Sequence, residues 1–120
     1  PERALESASV ADAAAYLDWA ALRPMTELEY EKACRGTNIA PVANEFAFGN
    51  TSATTAIGSS LVNPGTDNET INTGNVNHAA GVNRPLRTGI FATATSTRVS
   101  SGGTYYGIME MSGNVNEYVI

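Results

Sequence analysis

GIMEMSGNVNEYV, residues 107–119, is the stretch on which the reading of this chain turns. It sets two carboxylates, Glu110 and Glu117, on either side of Ser112-Gly113-Asn114, a triplet that favours a turn. A turn there can gather side-chain and backbone oxygens, and calcium accepts such mixed shells of carboxylate and carbonyl ligands at about 2.3–2.6 Å. The spacing is not that of an EF-hand loop. Two glutamates on a surface turn remain the plain alternative. An acid/base pair would require a few-ångström geometry and opposed pKa values that spacing alone does not establish.

Immediately upstream, GTYYGIMEM (103–111) reads as a core segment. If Tyr105 and Tyr106 lie on a strand, one ring packs inward and the other faces out. GIFATATSTRV (89–99) has the β-branched and aromatic content of a second strand, and FAFGN (46–50) reads as a short strand entering a turn. NPGTDNETINTGNVN (63–77) is dense in turn formers. The triplets Asn50-Thr51-Ser52 and Asn68-Glu69-Thr70 have the glycosylation pattern but serve equally as turns.

The first third reads differently. SVADAAAYLDWAA (9–21) places Val10, Ala13, Ala14, Leu17 and Ala21 at helical spacing, with Ser9 as cap and Asp12 three residues on. Thr26 and Glu29 form a second capping box, for a helix ending near Gly36 with Lys32 and Arg35 at its negative end. Tyr30, Ala33 and Cys34 share one side, with Leu28 at its edge. Two helices packed on a shared core are expected, with Tyr16, Trp19 and Tyr30 inside it.

The chain has 120 residues, 42% apolar and only 16% charged, with 11 Asn, 13 Thr and 9 Ser. Neutral polar loops are therefore expected over much of the surface, and the fold class is an irregular, loop-rich α+β domain. The net charge of −5, with no basic cluster, argues against nucleic acid or an anionic membrane as partner. No apolar run reaches the roughly 20 residues of a transmembrane helix. Cys34 is the lone cysteine, so it forms no intrachain disulfide, and it reads as a small buried packing residue. His78 is the lone histidine and cannot build a multi-histidine centre. Neither a phosphate-binding glycine loop nor a serine triad is present.

With LRPMTELEYEKACRG (22–36) beside the 107–119 segment, the sequence resembles the formylglycine-generating-enzyme or sulfatase-modifying-factor superfamily. Tyr16–Gly36 resembles its helix, turn and helix passage, Phe46–Asn50 its aromatic, glycine and asparagine turn, and Gly107–Val119 its GLYDMSGNVWEWV segment. The resemblance implies an irregular α+β fold related to C-type lectins, with calcium as a structural ion. It implies that Glu110 and Glu117 supply side-chain oxygens, that Gly113 and Val115 supply backbone oxygens, and that Asn75 and Val76 contribute to a weaker second site.

Several residues depart from the family pattern. Glu110 stands where the family carries Asp or Asn, Pro24-Met25 replace a Leu-Pro order, and Asn116 and Tyr118 replace two tryptophans. Oxidising relatives use a copper-associated cysteine pair beyond the closing motif, and iron-dependent relatives use a histidine-rich centre; residues 1–120 carry neither. The expectation is thus a partial domain of this family over 1–120, acting as a noncatalytic, extracellular or cell-surface structural or binding module. It would be stabilised by calcium and would take part in self-association, a cell-surface protein contact or a filament assembly. An incomplete portion of a protein-modifying oxidase is one alternative, and a carbohydrate-binding module is another.

Overall fold

The computed structural model describes residues 3–79 and 81–120. Its architecture is mixed α+β and loop-rich: helix α1 (Val10–Trp19), helix α2 (Glu27–Arg35), strands β1 (Leu61–Val62) and β2 (Thr70–Ile71), and a short helix α3 (Arg98–Ser101). The strands pair antiparallel, Leu61 opposite Ile71 and Val62 opposite Thr70. Two isolated bridges lie apart from this pair, Arg3 with Arg87 antiparallel and Thr55 with Val76 parallel. No helix among the described residues is long and apolar enough to cross a membrane.

Both expected capping boxes form. The Ser9 hydroxyl accepts from the Asp12 N–H at 3.1 Å while the Asp12 carboxylate accepts from the Ser9 N–H at 3.1 Å. Thr26 and Glu29 reciprocate in the same way, at 3.3 and 2.9 Å. Lys32 and Arg35 occupy the last turn of α2, and Gly36 follows it with φ of 82°.

The helices do not share a core. No residue of α1 is buried, Tyr16 and Trp19 are 60% and 81% exposed, and α2 buries only Cys34. Leu28, expected at the edge of the packed face, is also exposed. Helical spacing correctly indicated the helices but not a partner for their apolar faces. The core lies elsewhere, built from Ala56, Leu86, Ile90 and Phe91 with Leu61, Ile71 and Val82 against it. Phe48, fully buried, stacks on Phe46 at 5.2 Å between ring centres.

Three expected strand or core segments are turns instead. In FAFGN the Phe46 N–H donates to Asn50 O and the Gly49 N–H donates back to Phe46 O, closing a loop whose buried residues are Ala47 and Phe48. Across 89–99, N–H groups of Ile90 and Ala92 bond three residues back. Thr93, Ser96 and Thr97 hydroxyls then take up the backbone, the competition that disfavours a regular strand. In 103–111 only Gly103 and Thr104 are buried; Tyr105 and Tyr106 are each 53% exposed and meet edge to face at 5.0 Å. Thr104 closes that turn, donating its N–H to Ile108 O and accepting the Ile108 N–H on its hydroxyl.

Long-range polar contacts take the place of a large sheet. Glu69, 0% exposed, pairs with Arg3 and accepts the N–H groups of Gly65 at 2.6 Å and Arg87 at 3.2 Å. A buried carboxylate is tolerated because donors surround it. Gly102, at φ of 70°, permits a further close approach, since a Cβ there would lie 2.1 Å from the Asn75 carbonyl oxygen.

Candidate functional site

Residues 109–118 run in irregular backbone against α2 on one side and the 77–89 loops on the other. Asn114 anchors the segment: its side chain accepts from Leu86 N–H at 2.6 Å and donates to Leu86 O at 3.2 Å, while its N–H donates to Asn77 O at 2.7 Å. Asn77, itself buried, uses its side chain to hold Val82 and Arg84. Gly113 is required where it stands, because a Cβ would lie 2.5 Å from Asn77 O. The Ser112 hydroxyl accepts the Ala47 N–H at 2.7 Å, and the Tyr30 hydroxyl donates to Met111 O at 2.5 Å.

Glu110 and Asn114 both adopt left-handed backbone, with φ of 67° and 70°. Asn tolerates this region, whereas a glutamate there is strained. One Glu110 carboxylate oxygen accepts the Gly89 N–H at 3.2 Å. Burial pushes this carboxyl above the ordinary glutamate range; the Gly89 hydrogen bond opposes that rise, the Glu117 charge adds to it, and Arg87 offsets part of it. Glu117 is exposed as a residue, but its carboxyl is partly desolvated against the protein and is also pushed up, opposed by a hydrogen bond from its own backbone. The Tyr30 phenol is raised by burial first and then by Glu117.

The expected calcium residues are therefore not equivalent. Gly113, Val115 and Glu117 line one shallow cleft of about 550 Å³ together with Tyr30 and Tyr118. Glu110 lies toward Gly89 and Arg87, within electrostatic reach of Glu117 but outside the lining of that cleft. The Gly113 carbonyl already accepts the Val115 N–H at 2.9 Å, which leaves it one lone pair. Among the described residues, no group of three or more His, Cys, Asp or Glu side chains converges on a metal position. An ion in this cleft would rest on the Glu117 carboxylate and backbone oxygens, an all-oxygen donor set that suits calcium rather than zinc or copper.

Asn75 and Val76 are engaged in the fold itself. The Asn75 side chain accepts from Thr54 N–H at 2.9 Å and donates to Val99 O at 2.8 Å, and Val76 O accepts from Ala56 N–H at 2.8 Å. His78 is exposed, its ring 5.5 Å from Phe46. Cys34 is buried as expected, and burial pushes its thiol up, away from the reactive thiolate.

Sequence reasoning missed Tyr30, Asn77, Ser112 and Asn114 as the residues that set the shape of this segment. Tyr30 had a signal, its place on one side of α2 with Cys34. The other three act through partners 28 to 65 residues away or through backbone atoms, which no local pattern marks.

No curated protein and no solved structure matches the chain. A family does: the profile described as sulfatase-modifying factor enzyme 1-like domain aligns with residues 5–120, which take in α1, α2 and α3, the 46–50 turn and the whole closing segment. The chain belongs to the sulfatase-modifying factor enzyme 1-like domain family.

Proposed function

We propose that this chain is a noncatalytic, calcium-stabilised structural or binding module, part of a larger domain of C-type-lectin-like type, working outside the cell or at its surface. The ion is held by the Glu117 carboxylate and the Gly113 and Val115 carbonyls, with Glu110 completing the charge. The observation that carries this reading is the crowding of two partly desolvated carboxylates around one turn, each with its proton affinity raised. A divalent cation relieves both penalties at once.

Calcium titration followed by thermal unfolding tests the ion. A rise in melting temperature that magnesium reproduces poorly supports it, and no calcium-dependent shift overturns it. A portion of a protein-modifying oxidase is the second reading, favoured by the family assignment itself. Intact mass and the length of the gene separate the two: a continuation carrying a paired-cysteine site would favour the oxidase.

A further inference from the structure

Helix α2, the 46–50 turn and the closing segment meet without close packing. A cleft of about 210 Å³ lies between them, its lining including Tyr30 and Cys34 of α2, Ala47 of the turn, and Met111 and Ser112. Their relative position therefore depends on polar ties across it. Two ties reach the closing segment at consecutive residues: the Tyr30 hydroxyl donates to Met111 O, and the Ala47 N–H donates to the Ser112 hydroxyl. Each transmits the position of the element it starts from. The segment is well placed only if α2 and the turn are themselves held together.

Arg98, the first residue of α3, joins them. Its Nη2 donates to Cys34 O at 3.0 Å and to Ala47 O at 2.8 Å. Cys34 O belongs to the last turn of α2, the helix end that favours a cation. The guanidinium occupies a fitted slot. A Cβ on Gly49, whose φ is 78°, would lie 2.7 Å from Nη1, and the Tyr105 ring centre is 5.9 Å from Cζ. Tyr105 is fixed in turn by its own N–H, which donates to Cys34 O at 3.0 Å. Among the described residues no carboxylate pairs with Arg98, and its buried Nε–H has no acceptor. Its hydrogen bonds go to main-chain oxygens of two different elements. Arg35 also ties α2 to Glu45, but that bond joins two side chains and fixes neither backbone directly.

We infer that Arg98 is the positioning residue of the 111–117 segment. By joining Cys34 O to Ala47 O it fixes the spacing of the two elements whose bonds set Met111 and Ser112, and through them the Gly113 carbonyl of the proposed ion site. Arg98 itself lies outside the lining of that cleft. The inference deepens the calcium reading and rests on it for the ion, whereas its positional part holds for the ion-free chain. Groups that orient metal ligands from behind commonly change affinity about 10–100-fold when removed.

Hydrogen exchange in chelator and calcium calorimetry of Arg98→Met provide the test. Arg98→Lys is the milder variant if Arg98→Met does not fold, since it keeps the charge but loses the planar fork. In either variant the Asn114 and Val115 N–H groups, bonded to Asn77 O and Gly113 O, should exchange about tenfold faster relative to the Ala56 N–H, bonded to Val76 O. The calcium dissociation constant should rise about tenfold. Leu61→Ala, in β1 against the core, should lower the melting temperature and leave calcium affinity unchanged. Exchange that rises equally at Ala56 and at 114–115 marks general destabilisation and overturns the inference. So does an unchanged dissociation constant in an Arg98 variant that melts earlier. A parent protein that binds no calcium ends the ion reading alone, and the exchange pattern then decides the role of Arg98 by itself.

Discussion

The Tyr30 hydroxyl donates to the Met111 carbonyl oxygen at 2.5 Å, tying α2 to the segment that carries Glu110 and Glu117 across 81 positions of sequence. The same ring lines the cleft where Gly113, Val115 and Glu117 meet. The helix thus holds one wall of the proposed ion site. Tyr30→Phe leaves the Met111 carbonyl without this donor and should cost about 1–1.5 kcal/mol in urea unfolding. Calcium affinity should fall as well if the wall positions the site; an unchanged affinity would limit Tyr30 to stability.

Saturating calcium, at a hundred times its dissociation constant, should stabilise the fold by about 2.7 kcal/mol, a melting shift on the order of 10 °C for a domain of this size. Glu117→Gln should abolish that shift, because it removes the carboxylate on the cleft while keeping the shape of the side chain. Calorimetry of both proteins with and without calcium decides the point.

Glu110 combines left-handed backbone with a partly desolvated carboxylate. Glu110→Asn relieves both, since Asn accepts this backbone region more readily and carries no charge. In chelator the variant should be more stable than the parent by about 1 kcal/mol, and in calcium it should lose that advantage through weaker binding. Equal ranking in both conditions would remove Glu110 from the ion's shell.

Stability without calcium should peak near the ordinary glutamate value of 4.5. Glu110 and Glu117 have raised values in the fold, so their contribution is fully present below 4.5 and is lost as pH rises through their folded values. Glu29 has the opposite sign: the Arg23 hydrogen bond and then the Thr26 cap lower it to about 2, so its contribution is present above 4.5 and fades as pH falls toward 2. Asp12 follows Glu29 in direction through its Ser9 cap. Calcium should reverse the upper limb, because the ion binds the charged carboxylates. Melting curves from pH 2 to 8 in chelator and in calcium provide the check.

Glu69 is the buried junction of the Arg3 segment, the turn after β1 and the 85–87 chain. Glu69→Ala leaves Arg3 with only the Pro85 carbonyl as partner and removes the acceptor of the Gly65 and Arg87 N–H groups, and should cost about 1–3 kcal/mol. The expected result in denaturant titration is a lower midpoint with an unchanged slope.

What could be read in advance followed the range of each interaction. Ser9 with Asp12 and Thr26 with Glu29 are reciprocal bonds three residues apart, so α1 and α2 were legible to their caps. The strand readings at 46–50 and 89–99 failed because composition reports a preference for extended backbone, while backbone bonds among Phe46, Gly49 and Asn50 close a turn in the first stretch and Ser96 and Thr97 hydroxyls bind neighbouring N–H groups in the second. The shared helical core failed for another reason. Helical spacing at Ala13 and Leu17 marks an apolar side, but Tyr16 and Trp19 lie off that side and stay 60% and 81% exposed.

The sequence by itself determined the helices, the turn-rich middle and the family, because local caps, turn residues and the 107–119 motif act over a few positions. Only the tertiary structure decided which motif residues meet. Gly113, Val115 and Glu117 came to line one cleft while Glu110 turned toward Gly89, because Asn77, Leu86 and Tyr30, all far away in sequence, hold the segment in a backbone path that no local preference specifies.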